Sequence, residues 1–403
     1  MSLATSGSGF RPVQAVETAS VPEVRLGMLG YNFMGKAHCN AYLKFPHMFW
    51  PPTARVRMVA ICGRTEPAVA EAARRYGFEG YYTDWRDLVA DARLTLFDNV
   101  AWHSAHVEPC IAAAEAGKHV LCEKPLATNA ADARRMLDAA MRAGVKHMVA
   151  FNYRFAPAVQ LARRIIEEGY LGRLHHIRIR YLQDHQAEPN TPVPFKIGAG
   201  KGGVLLGLGS HVIDLARFLA GEPASVSGLV TTFNRERPDA DGSGRLVAVT
   251  DDDSFVANVA FRNGALGTLE ASYVCAGRKN QLVVEVNGVR GSLTWDLEDL
   301  NRLSVYLEGR DKFPGVTGFE NVLVTEAHHP YQRYWWPFGH ISGWEHLHAN
   351  LIHHFVDAVA NDHPVSQYAP TFADGYKAAL VAEAIEESCT TGRRVAIGDD
   401  QGT

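Results

Sequence analysis

A lysine stands at the end of a short apolar run, in residues 120–126, where the sequence Val-Leu-Cys is followed by Glu-Lys-Pro-Leu. A charged lysine at the end of a buried strand is costly to desolvate, so a surface role is not expected for Lys124. Lysine has an ordinary pKa of about 10.4, and burial beside a positive charge would lower it toward about 7–8. The sequence therefore predicts Lys124 as a general base for removing a hydroxyl proton; a structural ion pair is the alternative.

A histidine follows two glycines in residues 207–211, at the start of a predicted helix. His211 could hydrogen-bond a reacting hydroxyl or relay its proton, or it could be satisfied by a backbone carbonyl. Asp214 lies one helical turn further on, where it could orient His211 or hold a substrate hydroxyl. A first-turn acid favoured by the helix dipole is the equally open alternative.

A glycine-rich turn lies between a predicted strand, residues 24–29, and a predicted helix. This order is typical of dinucleotide binding, with Gly30 making the tight turn and Gly35 letting helix and strand approach. The pyrophosphate would sit at the helix N-terminus. Asn32 occupies the place of the usual middle glycine, and we expect the turn to survive because Asn tolerates left-handed backbone angles. Phe33 and Met34 complete the predicted cofactor-binding turn.

The second predicted strand, residues 56–62, ends without the carboxylate that binds the adenosine ribose of NAD. Arg64 could stack on adenine, meet the 2′-phosphate of NADP, or face solvent, so both cofactors remain open. Trp102, His103 and His106 follow a later strand and are predicted to lie under the cofactor at the carboxyl edge of the sheet. Glu123 is predicted to position the cofactor or its loop, with a structural pairing as the alternative.

Strands and helices alternate through residues 22–151, which predicts a doubly wound parallel Rossmann sheet. From residue 152 to 403, long strands joined by Asn-Gly turns predict a second α/β domain with an open, largely antiparallel sheet. Residues 1–21 have neither a basic start nor a long apolar core and are predicted to be a flexible arm. The fold class is therefore α/β with two domains.

Composition limits the class of partner. The chain has 403 residues, 47% of them hydrophobic, and a net charge of -4 without a long basic run. Nucleic acid and membrane surfaces are therefore not expected as partners, and no apolar run reaches the ~18 residues of a membrane span. The six cysteines are scattered, which favours reduced thiols in a cytoplasm over disulfides or a metal site.

Two further groups could bind a substrate. Tyr153 and Arg154 begin the second domain, beside the carboxyl edge of the predicted Rossmann sheet. They could bind substrate or the nicotinamide amide, and packing at the hinge between the domains is the alternative. A later cluster of histidines and tryptophans includes His340, and sugar sites use aromatic faces and polar tips of this kind. Packing or a subunit contact is the alternative for that cluster.

Four segments together resemble the glucose-fructose oxidoreductase / inositol dehydrogenase / rhizopine-catabolism (Gfo/Idh/MocA) family. They are residues 30–38, 116–126, 152–155 and 209–214. Residues 181–184 and 334–340 look closer to the levoglucosan dehydrogenase-like branch. The resemblance implies Lys124 and His211 facing a nicotinamide, with NAD slightly favoured over NADP. It also implies homodimers or homotetramers formed through the second sheet, and a sugar, anhydrosugar, glycoside or cyclitol substrate.

The sequence departs from the family pattern at two places. The family usually has an acid four residues before the histidine, and here that residue is Gly207. Either Asp184, His185 or Asp214 supplies the missing polar group, or Lys124 acts alone, or the protein is not a standard dehydrogenase. The other departure is Trp102-His103, where Thr-Pro-Asn is common in the family.

These patterns predict an NAD(P)-dependent dehydrogenase that oxidises a secondary hydroxyl. One rival is a redox-neutral glycosidase that oxidises and later reduces the same substrate with tightly held NAD. The other is a sensor on the same fold that binds cofactor and sugar without turnover, a reading that the glycine at position 207 favours.

Overall fold

The computed structural model describes residues 21–193, 202–309 and 317–398. Apart from Val21, the predicted N-terminal arm lies outside these described residues. The described residues form two α/β halves, each built on its own sheet.

Within the described residues, six parallel strands form the first sheet, in the order β3-β2-β1-β4-β5-β6. They are β1 (Glu23–Leu29), β2 (Arg55–Cys62), β3 (Gly80–Tyr82), β4 (Leu96–Asn99), β5 (His119–Cys122) and β6 (His147–Val149). The connecting helices are α1 (Phe33–Met48), α2 (Glu66–Tyr76), α3 (Trp85–Ala90), α4 (Val107–Glu115) and α5 (Ala130–Ala143). This is the strand order of a dinucleotide-binding Rossmann sheet, as the alternating pattern predicts.

The carboxyl ends of β1, β4 and β5 lie side by side at the point where the strand order reverses. Leu29 pairs with Asn99, and Asn99 pairs with Cys122. The turn after β1, the loop after β4 and the Glu-Lys-Pro segment after β5 therefore meet at one edge. Open α/β sheets bind their ligands at such an edge.

In the described part of the second half, nine strands form a sheet in the order β16-β15-β14-β13-β7-β12-β11-β8-β17. They are β7 (Leu174–Leu182), β8 (Pro223–Thr231), β11 (Ser254–Phe261), β12 (Leu266–Ser272), β13 (Gln281–Gly288), β14 (Gly291–Asp296), β15 (Arg302–Leu307), β16 (Glu320–Leu323) and β17 (Val395–Ala396); a separate ribbon pairs β9 (Glu236–Pro238) with β10 (Leu246–Ala248). The prediction of a largely antiparallel sheet is confirmed. The exception is the parallel pair β7 and β12, which arises because the chain leaves β7 through a helix instead of a hairpin.

Helices of the second half cover one face of this sheet and return to the first half. They are α6 (Pro157–Glu167), α7 (Val204–Gly207), α8 (Gly209–Ala220), α9 (Trp344–Ala360) and α10 (Phe372–Thr391). Helix α9 packs along α1, where His353 stacks on Phe49 with ring centroids 4.1 Å apart. This packing places the start of α9 beside the glycine turn that precedes α1.

None of the helices in the described ranges is long and apolar enough to cross a membrane.

Candidate active site

A cleft of about 760 Å³ opens between the two halves, at the carboxyl edge of the first sheet. Residues from both halves line it: Phe33, Met34, Glu123, Lys124, Asn152, Tyr153, Tyr181, Gln183, Leu208, His211, Asn280, 297–302, Leu323, 341–344 and His348. The cleft brings Lys124 and His211 together although they are 87 positions apart in the sequence (211 minus 124). Two domains meeting at the switch point of a Rossmann sheet form a common site for a cofactor and a substrate.

Lys124 lines the cleft, and its side chain reaches a backbone group of the second half. Its Nζ donates a hydrogen bond of 2.9 Å to the backbone carbonyl of Gly207, at the end of α7. Burial lowers the pKa of Lys124, and the nearby negative charge of Glu123 opposes that shift. Because the side chain keeps partial contact with the cleft, it is accessible to a ligand as well as held in place.

A buried charge network lies directly behind Lys124. His38 on α1 lies 2.9 Å from the Asp98 carboxylate through Nδ1 and 3.2 Å from the Glu123 carboxylate through Nε2. Burial alone would lower the pKa of His38, but Asp98 and Glu123 raise it to about 10. His38 is therefore an imidazolium that donates to both carboxylates. Glu123 also accepts from the backbone N–H of Lys124, which ties the network to the lysine loop.

His211 lies on the opposite wall, in the first turn of α8. It is buried, and its ring contacts the ring of Tyr153 at 4.6 Å. Burial lowers its pKa well below the ordinary value, and the neighbouring charge of Lys124 lowers it further. A neutral imidazole carries one N–H donor and one acceptor, so His211 can exchange hydrogen bonds with a hydroxyl.

The structure explains why residue 207 is a glycine. A Cβ built on Gly207 would lie 2.0 Å from the hydroxyl oxygen of Tyr273, which fills the space where a side chain would stand. None of the three residues considered as substitutes for the missing acid lines the cleft: Asp184 pairs with Lys279, Asp214 pairs with Arg154, and His185 packs against the Tyr273 ring. The Tyr273 hydroxyl therefore occupies the space where the side chain of the missing acid would lie. Lys124 donates its hydrogen bond to the Gly207 carbonyl in place of an acid at that position.

We expect Gly207→Ala to lower the free energy of unfolding by about 1–3 kcal/mol, because the added methyl overpacks a filled site. Adding Tyr273→Phe should recover most of that loss, since the next ring atom lies 3.2 Å from the Cβ position. Urea unfolding of the two single variants and the double variant measures this coupling. Equal losses in Gly207→Ala with and without the Tyr273 hydroxyl would show that the hydroxyl is not the obstacle.

The turn after β1 has the shape of a dinucleotide cradle. Gly30 has φ +104°, and a Cβ there would meet the backbone of Val100 and Ala101 at 3.0 Å. A Cβ on Gly35 would meet the Gly30 carbonyl at the same distance. Asn32 stands at the N-cap position of α1 with φ -74° and makes no side-chain cap hydrogen bond. The turn therefore needs positive φ only at Gly30 and does not use the left-handed angles that Asn tolerates. The α1 N-terminus has no acidic residue in its first turn, which leaves it suited to a pyrophosphate.

The other residues predicted to contact the cofactor differ in their exposure and in their contacts. Arg64 is exposed at the end of β2. Trp102 is half-exposed and packs on His103, with ring centroids 4.5 Å apart. Both ring nitrogens of His106 lie within hydrogen-bond distance of backbone carbonyls, those of Pro125 and Ala101. The side chain of His106 therefore joins the loops after β4 and β5, and its cofactor contact stays a prediction.

Among the residues predicted to bind substrate, Tyr153 lines the cleft. The structure places the other five outside the lining of the cleft. Arg154 donates two hydrogen bonds to the Asp214 carboxylate, at 2.9 and 2.6 Å, in a buried pair. Asp184 and His185 contact the residues given above, and His340 is exposed and lies 2.9 Å from the Pro337 carbonyl. Their substrate contacts stay predictions.

Several cleft residues went unrecognised as site residues in the sequence. Tyr181 donates a hydrogen bond of 2.7 Å to Asn280, and its hydroxyl also meets that of Tyr153 at 2.7 Å. Trp344 and His348 line the other side from α9. Their i, i+4 spacing on a helix is the signal that could have indicated a shared face; Asn280 offered no comparable signal.

One cluster in the described ranges has the composition of a metal site, although no metal was predicted. The ligand atoms of His38, Glu123 and His348 lie within 4.8 Å of one another. A metal would have to displace the proton that Asp98 and Glu123 hold on His38. His38 already donates to both carboxylates as an imidazolium, so the donor set fits a protonated His38 better than a metal ion.

Two family models match the chain. One describes an oxidoreductase family with an NAD-binding Rossmann fold and matches residues 24–151; the other describes a GFO/IDH/MocA C-terminal domain and matches residues 159–294. The levoglucosan dehydrogenase of Pseudarthrobacter phenanthrenivorans is 40% identical, covering 91% of this chain and 96% of its own. The myo-inositol 2-dehydrogenase of Thermotoga maritima is 28% identical, covering 68% and 75%.

Solved structures agree with this assignment. A levoglucosan dehydrogenase in complex with NADH and L-sorbose superposes with a TM-score of 0.89 at 38% identity, covering 94% of this chain and 100% of its own. An oxidoreductase domain protein from Kribbella flavida gives the same TM-score and coverage at 39% identity. The chain therefore belongs to the Gfo/Idh/MocA oxidoreductase family and carries its NAD-binding Rossmann domain.

Proposed function

We propose that the protein is an NAD-dependent dehydrogenase that oxidises a secondary hydroxyl of an anhydrosugar or a related pyranose. The observation that carries this proposal is the meeting of Lys124 and His211 in the cleft beside the glycine turn. The relative named for levoglucosan supports an anhydrosugar, and the relative named for myo-inositol supports more generally a secondary hydroxyl on a six-membered ring. When bound, NAD supplies the hydride acceptor, and the chain must supply a base, orientation and a water-poor wall.

We assign the proton transfer to Lys124. Its lowered pKa provides a neutral amine at lower pH than a free lysine, and the neutral amine accepts the proton of the reacting hydroxyl. The Gly207 carbonyl accepts the hydrogen bond of Nζ and so fixes its direction. His211, neutral and on the facing wall, hydrogen-bonds the same hydroxyl and keeps its oxygen near Lys124.

The remaining cleft residues bind and enclose the two ligands. The turn of Gly30, Asn32 and Gly35 would hold the pyrophosphate, and Phe33 and Met34 would border the nicotinamide side. Tyr153, Tyr181 and Asn280 form a hydrogen-bonded row that faces the sugar hydroxyls. Arg64, exposed just after β2, would border the adenosine end and does not decide between the cofactors. The choice of NAD is supported by the family.

The test is the absorbance of reduced nicotinamide after mixing the protein with NAD or NADP and a panel of levoglucosan, other sugars and inositols. A rise with NAD and levoglucosan is expected. If no member of the panel raises this absorbance although NADH binding is measurable, the proposal is contradicted and a sensor is favoured. Cleavage of a glycoside without net reduction of NAD would indicate the redox-neutral glycosidase.

We also propose that two copies associate through the open face of the second sheet. Leu229, Val256 and Leu266 are exposed there on adjacent strands, beside a shallow concavity of about 530 Å³. Exposed apolar residues on an uncovered sheet face are typical of subunit contacts. Light scattering in solution should give a multiple of the 44.2 kDa chain mass; a monomer would contradict this.

All six cysteines are free thiols, which supports the expected cytoplasmic location.

A further inference from the structure

His348 is a buried polar side chain that lines the cleft. It is 1% exposed, and neither ring nitrogen makes a hydrogen bond of standard distance and angle to a described residue. The backbone of Trp344, one turn earlier on α9, gives at most one weak contact of this kind, which leaves at least one ring nitrogen unsatisfied. Native proteins rarely leave a buried donor and acceptor unpaired, because both lose their hydration without compensation. A side chain of this kind at the wall of a ligand cleft indicates that the ligand completes its hydrogen bonds.

The charge state of His348 limits the chemistry of that ligand. Burial, and then the positive charge of His38, lower the pKa of His348 to about 3. The ring is therefore neutral and offers one N–H donor and one acceptor nitrogen. This pair suits a neutral hydroxyl or an amide, which also donates and accepts. A phosphate or carboxylate offers acceptors alone and would favour an arginine or lysine instead.

The position of His348 indicates which ligand it meets. Four residues earlier on α9, Trp344 stacks on Phe33, with ring centroids 5.4 Å apart and planes inclined by 13°. Phe33 begins α1 directly after the glycine turn, and His38, 5.8 Å from His348 between ring centroids, lies on the same helix. His348 therefore lies on the cofactor side of the cleft, while Tyr153 and Tyr181 border the second-domain side.

We propose that His348 binds a neutral hydroxyl or amide group of the nicotinamide-riboside half of the dinucleotide. The proposal deepens the proposed function and rests on it, since it assumes that the glycine turn holds a nicotinamide dinucleotide. It adds a residue from helix α9, in the second half of the chain, to the cofactor site. Docking of α9 on α1 then becomes part of cofactor binding, because it brings His348 to the ligand.

The test compares binding of NADH, followed by its fluorescence, in the parent protein, His348→Phe and His348→Gln. Phe keeps the ring volume without nitrogens, and Gln restores a donor and an acceptor. His348→Phe should weaken NADH binding about 10-fold to 100-fold, the usual effect of losing one or two hydrogen bonds, and His348→Gln should weaken it less. His175→Phe is the matched control, since His175 is an exposed histidine on β7 and is not among the residues that line the cleft.

Binding of ADP-ribose, which keeps the ribose and lacks the nicotinamide, identifies the group. Equal weakening of NADH and ADP-ribose assigns a ribose hydroxyl, and weakening of NADH alone assigns the carboxamide. Unchanged NADH binding in both folded variants would overturn the proposal, as would a raised KM for the sugar alone. A parent protein that binds NADH but turns over no sugar would overturn the proposed function and leave this inference standing.

Discussion

Lys124→Met is expected to lower kcat by about 10²–10⁴-fold, the usual contribution of a positioned general base. Methionine has a similar length and apolar stem, so the cleft should keep its shape. It has no nitrogen to accept the hydroxyl proton or to donate to the Gly207 carbonyl. NADH binding should persist, because the glycine turn is untouched. Steady-state kinetics with the sugar that the panel identifies, together with NADH fluorescence, separates these two effects.

The pH profile adds a readout that a merely structural lysine would not change. The base is active when deprotonated, so kcat/KM for oxidation should rise with pH and level off above the pKa of Lys124. Burial lowers that pKa, so the plateau should begin below the ordinary value of about 10.4. Lys124→Arg is the matched control, because its guanidinium keeps the charge and cannot be deprotonated. Full turnover by Lys124→Met would contradict the assignment.

The regular elements could be predicted because their signals are local. Apolar runs with helices between them predicted five of the six strands of the Rossmann sheet, at residues 24–29, 56–62, 94–100, 119–122 and 146–151. The missing one, Gly80–Tyr82, has three residues and too little pattern to be detected. The parallel pairing of β7 with β12 depends on which strand is adjacent in space, and alternation alone does not encode that.

The site could be predicted where a motif carries it and not where partners come from distant segments. The glycine turn, Lys124 and His211 each have a local context of strand, turn or helix start. The role of Gly207 depends on Tyr273, which directly follows the last residue of β12 and contacts the Gly207 position. His348 faces the cleft because α9 packs on α1, a contact between segments about 300 residues apart. No spacing rule brings such pairs together.

Arg154→Met is expected to lower the free energy of unfolding by about 3–5 kcal/mol, because it leaves the Asp214 carboxylate buried without its main partner. Both side chains are almost fully buried, and Arg154 also donates to Asp374 on α10. The pair therefore joins the start of the second domain to α8 and α10. Urea unfolding measures the loss. Arg86→Met, which breaks an exposed pair with Asp84, should cost less than about 1 kcal/mol.

The double variant Arg154→Met/Asp214→Asn distinguishes a buried ion pair from a substrate contact. Removing the stranded charge should recover part of the lost stability, because the amide needs less solvation than the carboxylate. At temperatures where the variants are folded, KM for the sugar should stay near the parent value, since neither side chain lines the cleft. A KM raised many-fold with unchanged stability would contradict this structural role. It would return Arg154 and Asp214 to the substrate site that their positions in the sequence suggested.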